Sequence, residues 1–243
     1  MKPYGFPIHG AIDGYSRKIL WMEVVRSNND PRIPAQLYLD CVKREGVCPR
    51  LLWSDCGTEN GIAAAMQCLF RKGEDELAGE KAHRYGNSHA NQRIEAFWSV
   101  YRRTRSSWWI DYFKNLVQTW MLELGNVLHM ECLWFCFSLV LQRDIDLVVE
   151  HWNTHSIRSS RYNTIAGKPD VLYYLPENSC GISCGVYISN EVIQGVEHHC
   201  EREADNNDYD EYFHYVMETE RLYYPNSPEE SLALYERLLT IAQ

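Results

Sequence analysis

The stretch that decides the fold is "HGAIDGYSRKILWMEVV", residues 9–25, near the start of the chain. It overlaps two segments, 5–12 and 17–25, whose content of Ile, Val, Leu and Trp favours strands buried on both faces. The "DGYS" string between them has the residues of a tight hairpin turn. The stretch therefore predicts strand, turn, strand with Asp13 at the turn. Asp13 is either a turn residue or the first member of a metal-binding group of carboxylates.

Helices and short strands are predicted to follow this hairpin. A helix capped by Asn29 or Asp30 comes first, and Gly46 ends it. A short apolar run within "LLWSDCGTEN" (51–60) then predicts a strand that ends at Asp55. The remaining predicted elements are helices at 62–70, from 91 onward, at 108–124 and at 127–152, and one short strand near 83–85. This order predicts an α/β protein with a mixed sheet flanked by helices, followed by extra helices.

Length and composition indicate a globular protein. The chain has 243 residues, 45% hydrophobic and 13% aromatic, enough to bury a sizeable core. Its nine cysteines are an odd number without a recognisable framework, and no signal peptide precedes them, which predicts an intracellular, reducing compartment. The densest apolar run, "CLWFCFSLVL" (132–141), is too short to cross a bilayer, so we expect a buried helix and no membrane partner.

The net charge of −9 is concentrated near the C-terminus. Residues 196–243 contain twelve acids and three arginines, whereas residues 1–195 contain 21 acids and 21 basic residues. Such an asymmetry marks a separate segment, and we divide the chain into residues 1–176 and an acidic segment, 177–243. Within the acidic segment we predict a short hairpin in 177–195, a solvated loop at 203–211 and a last helix with Ser227 as N-cap and Pro228 at its first position.

Two carboxylates occupy positions that suit metal chemistry. Asp55 stands at the carboxyl end of a predicted buried strand, where open α/β sheets bind their ligands. Glu95 lies in the first turn of an amphipathic helix, beside its apolar stripe, and can face the sheet edge. Carboxylates that converge in this way are what a hard cation such as Mg²⁺ requires. In the alternative interpretation, Glu95 only complements the helix dipole and Asp55 only begins a turn.

Four strings in order resemble the catalytic core of retroviral integrases and related DDE transposases. They are "IDGYSRKILWMEV", "LLWSDCGTEN", "GNSHANQRIEAFW" and "HWNTHSIRSSRYNTIAGKPDVLYY". The likeness covers roughly residues 3–176 and is greatest to eukaryotic integrase-core proteins derived from mobile elements. It implies a ribonuclease-H-like fold with a mixed sheet of strand order 3-2-1-4-5. It also implies cutting and joining of DNA with two metal ions held by Asp, Asp and Glu.

The resemblance assigns a role to each carboxylate. Asp55 aligns with the second catalytic Asp and Glu95 with the third acid, which makes both of them expected ligands of Mg²⁺ or Mn²⁺. The "GYSR" string after Asp13 marks Asp13 as the turn residue of the hairpin. The first catalytic Asp and its strand are then expected upstream of Met1. With only Asp55 and Glu95 we expect metal binding to be weak or absent.

The resemblance leaves two hypotheses for function. One is an integrase- or transposase-like protein for DNA integration, impaired in this chain. The other is a domesticated, non-catalytic scaffold that binds DNA or protein. In both cases a nuclear protein is expected, with a homo-oligomer possible.

Arginines on and after the Glu95 helix are the candidate DNA contacts. They are Arg93, Arg102, Arg103 and Arg105. Arginine suits phosphate contacts, and the family uses this helix against substrate DNA. The alternative is a solvated helix face, since residues 1–195 carry no net charge.

Overall fold

The structure is a computed structural model that describes residues 1–73, 75–86, 91–159, 164–201 and 208–242. Parts of three sequence predictions lie outside these residues. They are positions 87–90 of the third string, positions 160–163 of the fourth string and positions 203–207 of the predicted loop.

Nine helices and six short strands are found in the described residues. The strands are β1 (Ile8–Ile12), β2 (Ile19–Val24), β3 (Val47–Cys48), β4 (Leu52–Asp55), β5 (His83–Gly86) and β6 (Val186–Tyr187). The helices are α1 (Arg32–Glu45), α2 (Gly61–Phe70), α3 (Gln92–Tyr101), α4 (Ser107–Gln118), α5 (Val127–Thr154), α6 (Pro169–Tyr174), α7 (Asn190–Glu197), α8 (Asp208–Thr219) and α9 (Pro228–Ala242). The α/β class is therefore confirmed. No described helix is both long and apolar enough to cross a membrane.

The predicted hairpin is confirmed, with β1 and β2 antiparallel. Its turn is closed by two backbone bonds, from Asp13 N–H to the Lys18 carbonyl (2.8 Å) and from Arg17 N–H to the Asp13 carbonyl (3.0 Å). The pairing shifts register between Ala11 and Ile12, which is a β-bulge at the turn end of β1.

The hairpin lies between two helical layers. Met22 and the buried Ile19 of β2 pack with Phe97 of α3 and Ile145 of α5. Trp21, on the opposite face, packs against the cluster formed by α1 and α2. Because side chains alternate along a strand, each face of the hairpin contacts its own helical layer.

The expected strand order 3-2-1-4-5 does not assemble as one sheet among the described residues. Instead there are three two-stranded sheets, in which β1 pairs with β2, β3 with β6, and β4 in parallel with β5. The expectation of a single mixed sheet is thus corrected. The physical reason is that no described strand pairs with both β1 and β4, so the hairpin and the parallel pair each keep a free edge.

Two predicted helix ends are confirmed, whereas the N-cap of α1 is Pro31 and not Asn29 or Asp30. Gly46 ends α1 with φ 71°, and its N–H bonds to the Val42 carbonyl. The Glu230 N–H donates to the Ser227 hydroxyl at 3.2 Å, as predicted for the N-cap of α9. The helix predicted at 108–124 ends earlier, at Gln118, and the π-helical stretch Arg102–Ser106 joins it to α3.

The acidic segment differs from its prediction. The hairpin expected in 177–195 is wrong, since β6 pairs with the distant β3 and is followed by α7. The described residues 208–211 of the expected loop begin α8, where Asp208, Asp210 and Glu211 suit the positive end of a helix dipole.

The largest core cluster joins N-terminal and C-terminal parts of the chain. It contains Phe6, α4 and the apolar run of α5, together with Phe213 of α8 and Tyr235 of α9. The run 132–141 is therefore a buried helix, as predicted. The division at residue 176 stays a prediction, and the structure shows that α8 and α9 pack on α5.

The last string of the resemblance holds the hairpin in place. The Trp152 ring N–H donates to the Arg17 carbonyl at 2.8 Å. The Asn153 amide bonds to both the N–H (2.8 Å) and the carbonyl (3.0 Å) of Ile19. The Arg17 guanidinium in turn donates to the Ile165 carbonyl. These contacts are structural, and they fix β2 against α5.

Candidate active site

Asp55 is the last residue of β4, opposite Gly86 of the parallel strand β5. The side chain is exposed. Its carbonyl accepts from the side-chain amide of Asn60 at 3.3 Å, which ties the strand end to the start of α2. The predicted strand end at Asp55 is confirmed, but the predicted burial of the strand is wrong, because Trp53 and Asp55 are exposed.

Asn91 joins Asp55 to the start of α3. The Asn91 side-chain amide donates to Asp55 Oδ1 at 2.6 Å, and the Asn91 carbonyl accepts the Glu95 N–H at 3.1 Å in the first backbone bond of the helix. Glu95 is exposed in the first turn of α3. The strand end at Asp55 is therefore bonded to the helix that carries Glu95.

Asp13 is a turn residue, as predicted. Its Oδ2 accepts hydrogen bonds from the N–H of Tyr15 (3.0 Å), the N–H of Ser16 (2.6 Å) and the Ser16 hydroxyl (2.7 Å). These bonds are those of an Asx-turn, in which a side-chain oxygen takes the place of a backbone carbonyl. Ser16 is fully buried, so its bonds to Asp13 connect the turn to the interior of the protein.

A cleft of about 1420 Å³ lies between the hairpin and β4. Its walls are formed by β1, β4, α1 and α3, and Asp55, Glu95 and Asp13 all line it. Among the described residues that line it there are six carboxylates and two guanidinium groups, those of Arg50 and Arg93. The cleft is therefore acidic.

The carboxylate of Glu59 folds back over Gly57. A Cβ atom at Gly57 would lie 2.1 Å from Oε1 of Glu59, which is the end of a flexible side chain and can move aside. Glu59 also lines the cleft. Its negative charge is close enough to raise the pKa of His9, although burial has the larger effect and lowers that pKa.

His9 of β1 is held in one neutral form. The Trp21 ring N–H donates to its Nδ1 at 3.0 Å, and an indole nitrogen can only donate, so the His9 proton is on Nε2. Burial lowers the pKa of His83 as well, and its Nε2 lies 3.0 Å from the Ser54 hydroxyl.

The four candidate arginines fall into two groups. Arg93 is exposed and lines the cleft. Arg102, Arg103 and Arg105 are exposed in the π-helical stretch, about 14–18 Å farther along the helix at 1.5 Å per residue. Arg105 is also 3.5 Å from Asp144 of α5. They do not form one continuous patch with Arg93.

Metal ligands in this site would have to come from two carboxylates. Within the described ranges, no three or more His, Cys, Asp or Glu side chains are grouped so that they could hold a metal ion. Among the described residues, Asp55 Oδ2 has no hydrogen-bond partner. The side chain of Glu95 is exposed and lines the same cleft as Asp55. These two side chains fit a Mg²⁺ ion of the kind held by one or two carboxylates plus water.

The comparison that decides the family is a match to the integrase core domain over residues 1–173. The chain belongs to the integrase core domain family. The resemblance read from the four strings is thereby confirmed. No curated protein and no solved structure gives a significant match to this integrase core. Membership indicates an integrase- or transposase-like role in DNA processing, and integrase core domains typically use divalent metal ions.

Sequence reasoning missed two residues of the site. Asn91 was predicted only as the start of a helix. His9 lines the cleft because of how distant elements pack, and no local pattern in the sequence indicates that placement. Glu59, which the sequence offers as a spare acid in the turn after Asp55, also lines the cleft.

Proposed function

We propose that this integrase core acts on DNA at the cleft, with Asp55 and Glu95 as ligands of Mg²⁺ or Mn²⁺. The observations that carry the proposal are the bond from Asn91, at the start of α3, to Asp55 and the presence of both Asp55 and Glu95 in the lining of one cleft. Mg²⁺ commonly takes one or two protein carboxylates and completes its shell with water and substrate phosphates. An exposed pair of carboxylates meets that requirement.

The reaction class is the attack of water or a DNA 3′-hydroxyl on a phosphodiester. A divalent ion, when bound, would stabilise negative charge on the phosphate oxygens. The Asn91 amide keeps the Asp55 carboxylate in one orientation. The first turn of α3 favours the negative charge of Glu95, and the exposed Arg93 is suited to contact a backbone phosphate.

The charge of the cleft makes DNA binding depend on the metal. Six carboxylates against two guanidinium groups repel a phosphate backbone when no cation is present. DNA affinity should therefore rise when a divalent ion is added. Two carboxylates bind such an ion weakly, so we expect strand transfer by this chain to be impaired.

A second candidate is a non-catalytic scaffold that binds DNA or protein. It is favoured by one observation, that no third acidic, His or Cys side chain joins Asp55 and Glu95 in a metal-binding group within the described part of the chain.

DNA binding tests the proposal and can be measured by fluorescence anisotropy with a labelled duplex. In EDTA the affinity should be low, and Ca²⁺ or Mn²⁺ should raise it. Asp55→Asn and Glu95→Gln should abolish the increase, whereas Asp111→Asn, an exposed acid outside the cleft, should leave it unchanged. If the DNA affinity of the unaltered protein did not change when divalent ions were added, the metal assignment would be overturned.

Nicking of supercoiled plasmid in Mn²⁺ separates the two candidates. Slow nicking that disappears in Asp55→Asn indicates an impaired enzyme. Metal-dependent DNA binding without nicking indicates the scaffold.

The role of Arg93 can be tested in the same binding assay. Arg93→Ala should reduce the slope of log affinity against log salt by about one, as expected for the loss of one phosphate contact. Arg237→Ala is the matched control, because Arg237 is exposed on α9, outside the cleft, and is not a candidate DNA contact.

A further inference from the structure

Two histidines lie one helical turn apart at the C-terminal end of α5. His151 is in the last turn of the helix and His155 is its C-cap residue. Residues four apart are neighbours on one face of a helix, so both imidazoles project from the same side. Their ring planes are 4° from parallel, with the ring centroids 5.3 Å apart. Neither histidine lines the cleft that contains Asp55 and Glu95.

The proton of the His155 ring is held on one nitrogen. Its Nδ1 lies 2.9 Å from the Trp152 carbonyl oxygen and 3.1 Å from the His151 carbonyl oxygen. A carbonyl oxygen can only accept, so Nδ1 is the donor and carries the hydrogen. In the neutral ring, Nε2 therefore keeps its lone pair. Metal-binding histidines have this arrangement, in which one ring N–H donates to a carbonyl or carboxylate and the other nitrogen binds the ion.

The His151 ring is exposed and is free to turn toward its neighbour. In the part of the chain that the structure describes, no hydrogen bond to its ring nitrogens is found. Two nitrogens that bind one tetrahedral ion at about 2.0–2.1 Å lie about 3.3 Å apart. Histidines with this spacing on one helical face bind a single zinc ion in metalloproteases. The pair therefore has the spacing and the freedom of movement that chelation requires.

The position of the pair at the end of α5 also favours a cation. The carbonyl groups of the last helical turn have no backbone partner within the helix and carry the negative end of its dipole. An ion held by both imidazoles lies within this turn, where the effect of the dipole is largest.

We propose that His151 and His155 form a binding site for a borderline divalent metal ion such as Zn²⁺ or Ni²⁺. Imidazole nitrogen suits Zn²⁺, Ni²⁺ and Cu²⁺, whereas Mg²⁺, Ca²⁺ and Mn²⁺ prefer oxygen ligands. Two histidines supply two of the four positions of a tetrahedral ion, and water occupies the other two. The site differs in ligand chemistry from the carboxylates of the cleft, and the inference does not depend on the proposed function.

A bound ion stabilises the contact between α5 and the hairpin. The same helical turn carries Trp152 and Asn153, whose side chains bond to the hairpin backbone. An ion that joins His151 to His155 spans these two residues and keeps the turn helical. Because the unfolded chain does not hold the two rings together, binding favours the folded state. At a free Zn²⁺ concentration ten times the dissociation constant, the melting temperature should rise by about 3–5 °C.

NMR of the imidazole nitrogens tests the site directly. In long-range ¹H–¹⁵N correlation spectra of the full chain, Zn²⁺ should shift Nε2 of His155 and one nitrogen of His151, while Nδ1 of His155 keeps its proton. Mg²⁺ at the same concentration should shift neither ring. If Zn²⁺ leaves both rings unchanged, His155 only packs against Trp152, whose ring it contacts at 5.6 Å, and the proposal is overturned.

Single substitutions test whether the two rings act together. In His151→Gln, the Zn²⁺ concentration that shifts His155 should rise at least about tenfold, because loss of a ligand costs more than loss of its supporting hydrogen bond, which costs roughly 10–100-fold. The reciprocal change, His155→Gln, should do the same to His151. An unchanged concentration in either variant would contradict the shared site.

A matched control changes the spacing but keeps the number of histidines. Glu150→His combined with His151→Gln places the first histidine five residues before His155, about 140° around the helix. This variant should bind Zn²⁺ as weakly as His151→Gln, and binding equal to that of the unaltered protein would overturn the proposal. Asp55→Asn should leave the Zn²⁺ shifts of both rings unchanged. Loss of those shifts in Asp55→Asn would place the ion in the cleft and overturn the assignment to α5.

Discussion

Replacing Asp13 with alanine should destabilise the hairpin turn without affecting metal binding. The substitution removes an oxygen that accepts three hydrogen bonds, two from backbone N–H groups and one from the hydroxyl of the buried Ser16. A hydrogen bond to a charged group contributes about 1.5–3 kcal/mol, but bonds that share one partly exposed oxygen are not additive. We expect a loss of about 2–3 kcal/mol in the free energy of unfolding.

Urea denaturation followed by circular dichroism measures this loss. The midpoint should fall at an unchanged slope, and the melting temperature should decrease by about 4–12 °C for a chain of this size. Asp13→Asn keeps an oxygen acceptor and should lose only about 1 kcal/mol. If Asp13→Ala were as stable as the unaltered protein but lost Mn²⁺ binding, Asp13 would be a metal ligand and the assignment as a turn residue would be refuted.

Two further predictions concern the hairpin. Burial lowers the pKa of His9, so as the pH falls below about 6.5 the unfolded chain takes up a proton first and the free energy of unfolding decreases. His9→Asn should reduce the slope of the urea midpoint against pH between about pH 7.5 and 5.5, and an unchanged slope would contradict the role of His9. Gln142→Leu leaves the Val24 N–H and Met22 carbonyl unpaired and should lower the free energy of unfolding by about 2–3 kcal/mol. A urea midpoint equal to that of the unaltered protein would contradict this.

Features set by local chemistry could be predicted from the sequence. The hairpin turn at Asp13, the end of α1 at Gly46 and the cap at Ser227 each depend on a few neighbouring residues. The positions of Asp55 at a strand end and Glu95 in a first helical turn followed from the same kind of pattern.

Features set by distant contacts could not be predicted. The partner of β6 is β3, well over a hundred residues away, and neither strand has a pattern that specifies the other. The division into separate two-stranded sheets depends on which strands become neighbours in the folded chain, and local sequence patterns do not specify those neighbours. The π-helical stretch joins α3 to α4, and each of these helices packs in a different core cluster. The polar sequence "RRTRS" does not indicate a π-helix.

The central claim, that Asp55 and Glu95 are the metal ligands and Asp13 is not, is tested most directly by calorimetric titration with Mn²⁺. We expect weak binding to the unaltered protein, no binding to Asp55→Asn or Glu95→Gln, and unchanged binding to Asp13→Asn. Binding that survives in Asp55→Asn and Glu95→Gln, or that is lost in Asp13→Asn, would contradict the account.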